Sequence, residues 1–126
     1  MMRQVREWFG AHGEARFTDW HRADDSHRPQ TMNRAGWRRV QWGEGRNTAG
    51  EVVQVITSIE WLVLPDVFRA EIAKGWSYRA VLRVLDQGGH LHREKRDGFG
   101  CSVKPPNVGS ASVYRIRSTI LEGGDD

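Results

Sequence analysis

The stretch that decides the fold runs Trp61-Leu62-Val63-Leu64-Pro65-Asp66-Val67-Phe68-Arg69-Ala70-Glu71-Ile72-Ala73-Lys74-Gly75-Trp76-Ser77-Tyr78-Arg79-Ala80-Val81-Leu82-Arg83-Val84-Leu85-Asp86-Gln87-Gly88-Gly89. Four apolar residues read as a strand that stops at Pro65. That proline suits the first turn of a helix, where its missing N–H leaves no bond unmade. From Asp66 to Ala73, Val67, Phe68 and Ile72 mark the buried helical face, and Arg69 and Glu71 the wet one. Gly75 supplies the positive φ of a tight turn between helices. Ser77 is a good N-cap for a second helix, Tyr78 to Gln87, with Val81, Val84, Leu85 and Gly88 on one stripe. Leu82 lies off that stripe, so this helix is packed on more than one side. Gly88-Gly89 ends it.

Beyond the second helix, His90 to Arg96 alternates weakly and is rich in base. Asp97-Gly98-Phe99-Gly100 is a turn signal. Cys101 to Pro106 reads as an irregular return arm, Ser112 to Arg117 as the last strand, and Thr119 to Leu121 as a terminal cap. Pairing His90–Arg96 with Ser112–Arg117 makes a wing hairpin. Helix, glycine turn, helix, hairpin is the order of a winged helix-turn-helix.

Before the deciding stretch, Val5, Trp8, Phe9 and His12 recur at helical spacing, and Gly13 is the expected stop. Phe17 and Trp20 pack on that helix or on the sheet. His21 to Gln30 reads as a loop. Trp37 to Trp42 alternates as a strand, with Trp37 and Arg39 on one face and Arg38 and Val40 on the other. Gly43 to Gly50 is a loop or hairpin tip. Glu51 to Ile59 is β-branched and returns antiparallel to the Trp37 strand. It either runs on through Trp61–Leu64 or bends and resumes there. The expected class is therefore α+β: a winged helix-turn-helix with an extra N-terminal helix and an antiparallel hairpin. It reads as one domain over 1–126, divided into 1–32, 33–64, 65–89, 90–121 and an acidic tail at 122–126.

A chain of 126 residues buries a modest core without staples. Its single cysteine, Cys101, excludes an internal disulfide and points to a reducing compartment. No apolar run approaches a membrane span, and Met-Met-Arg-Gln-Val-Arg-Glu lacks the apolar core of a secretory signal. A cytoplasmic protein without membrane contact is expected. Net charge is only +3, so its distribution matters more than its sum. Between Arg79 and Arg117 eight bases face three acids. Arg outnumbers Lys, which suits bidentate phosphate or base-edge contact; a GC-rich gene gives the same bias.

Catalytic and metal chemistry find no support in the residues. His90-x-His92 is a pair where a metal site needs three or four converging ligands, and His12, His21 and His27 are distant in sequence. Nothing orients a base toward Cys101. Asp24-Asp25 and Asp125-Asp126 lack an apolar wall to raise a pKa. No catalytic residue, metal, cofactor or small-molecule substrate is expected. Most of the six tryptophans read as core. Trp42 and Trp76 are the two expected at the surface and form the candidate protein contact. The candidate nucleic-acid set is Ser77, Tyr78, Arg79, Arg83, Arg93, Lys95 and Arg96. The second helix of a helix-turn-helix offers its first turn and outer face to a groove while the wing tracks phosphate. The bland alternative is that these arginines solvate a helix and an edge strand.

Four short segments carry a family resemblance: His12-Gly13-Glu14-Ala15-Arg16-Phe17, Asn33-Arg34-Ala35-Gly36-Trp37, Leu64-Pro65-Asp66-Val67-Phe68-Arg69 and Val113-Tyr114-Arg115-Ile116. In this order, over Val5 to Leu121, they resemble the C-terminal region of a domain-of-unknown-function family of helicase-like or primase-helicase-like proteins. Those proteins belong to phages, plasmids and integrated elements. The resemblance implies a mobile-element origin and a winged-helix tail attached to a motor. The family's ATPase core is absent here: no Gly-x-x-x-x-Gly-Lys-Ser/Thr loop occurs, so motor activity does not carry over. The expected function is a non-catalytic DNA-binding module of a mobile-element replication or helicase-type protein. The alternative is a protein-interaction module that docks a helicase or ATPase core, or blocks a host defence complex as anti-CRISPR proteins do.

Overall fold

The computed structural model describes residues 1–22 and 33–122. Asp24, Asp25, His27, most of the expected His21–Gln30 loop and all but the first residue of the acidic tail lie outside them. The elements are α1 (Met2–His12), β1 (Phe17–Asp19), a 3-10 turn (Trp20–Arg22), β2 (Gly36–Arg46) and β3 (Val52–Val63). Then come α2 (Pro65–Val67), which passes into a π-helical turn (Phe68–Ile72), and α3 (Tyr78–Gln87). The short strands β4 (Leu91–His92) and β5 (Cys101–Val103), β6 (Ala111–Arg117) and a 3-10 turn (Ser118–Leu121) complete the chain. Three helices and a six-stranded sheet make a mixed α+β fold.

The sheet order is β1-β2-β3-β6-β4, with β5 also on β6. β1 runs parallel to β2, while β2–β3, β3–β6, β4–β6 and β5–β6 are antiparallel. Of the two paths open for Glu51–Leu64, the chain takes the continuous one: β3 is a single strand of 12 residues. Alternation along its C-terminal half sends Trp61 and Val63 to one face of the sheet and Leu62 to the other. Trp61 and Val63 join Phe9, Phe68, Leu85 and Ile116 in the main core under the helices. Leu62 joins Trp37, Cys101 and Val113 in a smaller cluster on the opposite face. Leu82 is buried beside Val81 and Leu85, so α3 does pack beyond its main stripe.

Several boundaries differ from the sequence expectation. Gly13 ends α1 with right-handed φ −63°, not the left-handed geometry typical of a glycine stop. Its requirement is close approach: a Cβ there would lie 3.0 Å from the Trp61 ring, whose Nε1–H donates to the Gly13 carbonyl at 2.8 Å. The first helix of the pair is one α-turn followed by a π-turn, closed by Ala73 N–H donating to the Phe68 carbonyl at 2.8 Å. Buried Phe68 and Ile72 pin that turn to the core. Gly75 has φ +86° and Ser77 caps α3 by accepting from the Ala80 N–H at 3.4 Å. The expected pairing of His90–Arg96 with Ser112–Arg117 is confined to Leu91 and His92, and Arg93–Gly100 forms an intervening loop. Cys101–Val103, expected as an irregular arm, is a strand paired with Val113–Ala111.

Gly43–Gly50 is not a loop as a whole. β2 continues to Arg46, and the turn is Asn47–Glu51, where Asn47 Oδ1 accepts from the Ala49 and Glu51 N–H groups at 3.0 Å each. Since β1 covers only Gly36–Arg38 and β6 only Glu60–Val63, the β2–β3 hairpin projects as a two-stranded arm. A bulge sits where Gln41 pairs with Ser58 but Trp42 with Ile56.

Gly36 anchors the base of that arm. Its φ is +155°, and a Cβ would fall 1.8 Å from the Leu62 carbonyl oxygen. Gly36→Ala should therefore destabilise the protein by on the order of 3 kcal/mol, read by urea unfolding. A loss below about 1 kcal/mol would contradict the β2–β3 register.

Candidate functional site

α3 begins at Tyr78 behind its Ser77 cap, so Tyr78, Arg79 and Arg83 lie in its first two turns, with both arginines exposed. The loop Arg93–Gly100 runs beside this helix, tied to it by Arg93 Nη1 and Asp86 Oδ2 at 3.0 Å. Between them lies a cleft of about 500 Å³. Its walls come from Pro65 and Arg69, from α3, from Gly98–Gly100, and from Ser112 and Tyr114 of β6. Among the described residues, the lining contains three arginines, Arg69, Arg79 and Arg83, and no carboxylate.

Two of these arginines are held by aromatic groups. The Arg69 guanidinium lies 4.4 Å from the Tyr78 ring centroid and that of Arg79 5.8 Å from it. Arg79 Nε donates to the Tyr78 hydroxyl at 3.3 Å. That hydrogen bond and the Arg79 charge, with the Arg69 charge beyond, hold the Tyr78 phenol below its ordinary pKa. The Tyr114 hydroxyl stands beside Arg69 and favours its charged form. Arg83 has no ion pair or hydrogen bond among the described residues. Three cations and, among the described residues, no carboxylate in the lining give this cleft a positive wall.

The other predicted residues divide. Ser77 Oγ is occupied as the helix cap. Arg93 points inward: besides Asp86 it donates to the Gly98 carbonyl at 3.2 Å and to the Arg96 carbonyl, and it stacks 4.9 Å from the Phe99 ring. Its guanidinium organises the loop through these bonds. Lys95 and Arg96 are exposed on that loop and form no ion pair among the described residues. Trp42 is 60% exposed on the arm and Trp76 49% exposed in the inter-helix turn. Sequence reasoning missed Arg69, Tyr114 and Phe99. By sequence Arg69 belongs only to a wet helical face, and nothing in local spacing ties it to residues 9, 30 and 45 positions onward.

Arg39, Arg115 and Arg117 are occupied by bonds within the protein. Glu60 Oε1 accepts from Arg39 Nη2 at 2.9 Å and from Arg115 Nε at 3.0 Å, and Arg115 also reaches Glu94 at 3.4 Å. Arg39 stacks on Trp20 at 4.8 Å, and Arg117 donates to the Gly89 carbonyl at 2.9 Å. His90 is hydrogen-bonded to Thr119 Oγ1 at 2.8 Å; burial, then the charges of Arg6 and Arg117, hold its pKa down. Cys101 is buried in β5, where burial and then Glu94 push its thiol up, away from nucleophilic character. Among the described residues, no three His, Cys, Asp or Glu side chains converge as a metal site, and no helix is long and apolar enough to cross a membrane.

No family model matches this chain, and no curated protein or solved structure shows significant similarity to it.

Glu60 supplies an acid-sensitive contribution to stability. Burial opposes its charge, but the two arginines outweigh burial and hold its carboxyl below the ordinary value of 4.5. The stabilisation is present above that ordinary value and lost as pH falls through the lower folded one. Glu60→Gln should cost about 2 kcal/mol at neutral pH and progressively less toward pH 3 in urea titrations. An equal cost at both ends would mean that the Glu60 charge contributes nothing.

Proposed function

We propose that this chain is a DNA-binding module of winged-helix type, cytoplasmic and non-catalytic by itself, from a mobile-element replication or helicase-type protein. One observation carries the reading: the acid-free cleft that gathers Arg69, Arg79 and Arg83 beside a loop bearing Lys95 and Arg96. The Gly75 turn between two helices, the Ser77 cap and the β4–β5–β6 ribbon after α3 support the helix-turn-helix-and-wing description. The mobile-element attribution rests on the four resembling segments alone. In this reading α3 presents Arg79 and Arg83 to the duplex, and Lys95 and Arg96 contact the phosphate backbone.

Double substitution Arg79→Ala/Arg83→Ala should weaken duplex binding at least about tenfold at low salt and lower the slope of log K against log salt by about two. Circular dichroism should be unchanged, because both side chains are exposed. Undiminished duplex binding would refute the assignment of α3. Arg93→Ala should instead lower thermal stability, since its partners are all within the protein.

A second reading has its own observation. On one face of the arm Trp42 lies opposite Ile56, which is 46% exposed, and Arg46 lies opposite Val52, which is 55% exposed. Among the described residues, both outer edges of the arm lack strand partners there. An aromatic anchor on an open ribbon is a protein-contact feature, whether for a helicase core or for a host defence complex. Trp42→Ser should abolish capture of such a partner without altering DNA binding. Persistent capture by that variant would remove the arm from this role.

A further inference from the structure

The cleft between α3 and the Arg93–Gly100 loop is more specific than a basic patch. Its floor includes buried Leu82 and Tyr114, and its walls come from four separate chain segments. At about 500 Å³ it falls within the range of small-ligand sites, about 300–1,000 Å³. Arg69 and Arg79 are both steadied against Tyr78, so less side-chain freedom is lost when they close on an anion. Arg83 adds a third positive charge, and among the described residues the lining offers no carboxylate to balance the three.

An internal phosphodiester brings one negative charge. A terminal phosphate monoester brings about −1.5 to −2 at pH 7, with three acceptor oxygens in place of two. Three guanidiniums lining one recess match the monoester better in both charge and donor number. Phe99 also lines the recess, with its ring braced by the Arg93 guanidinium at 4.9 Å. A braced aromatic wall next to a phosphate receptor suits stacking of the base adjoining a strand end.

Building on the DNA-binding reading, we propose that this cleft receives the phosphorylated end of a DNA strand, with Arg69, Arg79 and Arg83 on the terminal phosphate monoester and Phe99 against the terminal base. Arg69 is then a specificity residue: it separates ends from internal phosphates. Lys95 and Arg96, outside the recess lining, contact the neighbouring backbone without regard to its end.

The test is competition binding by fluorescence anisotropy, with short single strands of one sequence as competitors. They carry a 5′-phosphate, a 3′-phosphate or no terminal phosphate, and all are measured at one salt concentration. At least one phosphorylated strand should compete about tenfold better than the bare strand, and the two phosphorylated arms identify which end is read. Arg69→Ala should bring that ratio to about one, weakening the phosphorylated strand about tenfold more than the bare strand. Phe99→Ala should weaken the phosphorylated strand and leave inorganic phosphate competition unchanged. Equal competition by all three strands, still reduced by Arg79→Ala, would overturn the strand-end inference and leave DNA binding standing. An Arg69→Ala protein that loses affinity for all three strands alike would overturn it in the same way. Absence of binding by every strand and by duplex would overturn both.

Discussion

The fold depends on β3 being buried on two sides at once. Within Trp61-Leu62-Val63, strict alternation puts two side chains under the helices and one into the smaller cluster on the far face, and none of the three is more than 3% exposed. A strand loaded in this way has one permitted register, because a one-residue slip would exchange its two faces. Its register then fixes its neighbours: Gly36 must approach Leu62, the Trp61 indole must reach the end of α1, and Tyr114 must sit opposite Val63. The strand ends at Val63 and the chain turns into α2 at Pro65, so the same constraint sets where the following π-turn places Arg69 and where Tyr114 meets it.

Electrostatics then sort the arginines into two populations. Arg16 is bound to Glu71 through both carboxylate oxygens, so the segment after α1 is clamped to the π-turn. Arg39 and Arg115 share Glu60, and Arg93 holds Asp86. Each of these carboxylates sits beside a cation that would otherwise have joined a general basic surface. Arg69 and Arg79 lie against tyrosines, Arg69 also within the field of Asp66, and Arg83 is exposed with no ion pair or hydrogen bond among the described residues. The eight-to-three imbalance in the sequence is a poor guide to this outcome, because pairing depends on which strands and helices come together. Arg115 and Arg117 are among the eight and are spent on Glu60, Glu94 and the Gly89 carbonyl.

Much of the local structure was legible in the residues. Ser77 as cap, Gly75 as the left-handed hinge and the opposed faces of Trp37 and Val40 follow from chemistry that acts within a few positions. What escaped was non-local. β1 depends on parallel pairing with Gly36–Arg38, and β5 on pairing with a partner ten residues away; three-residue strands carry no periodicity of their own. The arm's length was hidden by Gly43 and Gly45, which signal a loop but here face Thr57 and Val55 across the ribbon, where larger side chains would collide. The π-turn has no sequence signature that distinguishes it from an α-turn. Arg69 entered the site through that turn and through β6, by a route that no helical wheel displays.

In the proposed reading Arg69, Arg79 and Arg83 meet phosphate, with Lys95 and Arg96 beside them on the loop, while Arg93, Arg39 and Arg115 are held within the protein itself. Arginine Nε–Hε resonances, followed by NMR during titration with a phosphorylated DNA strand, report on each guanidinium separately. The account requires large shifts at Arg69, Arg79 and Arg83, with Arg93, Arg39 and Arg115 essentially unmoved. Shifts concentrated on Arg93 or Arg115, with the three cleft arginines silent, would contradict it.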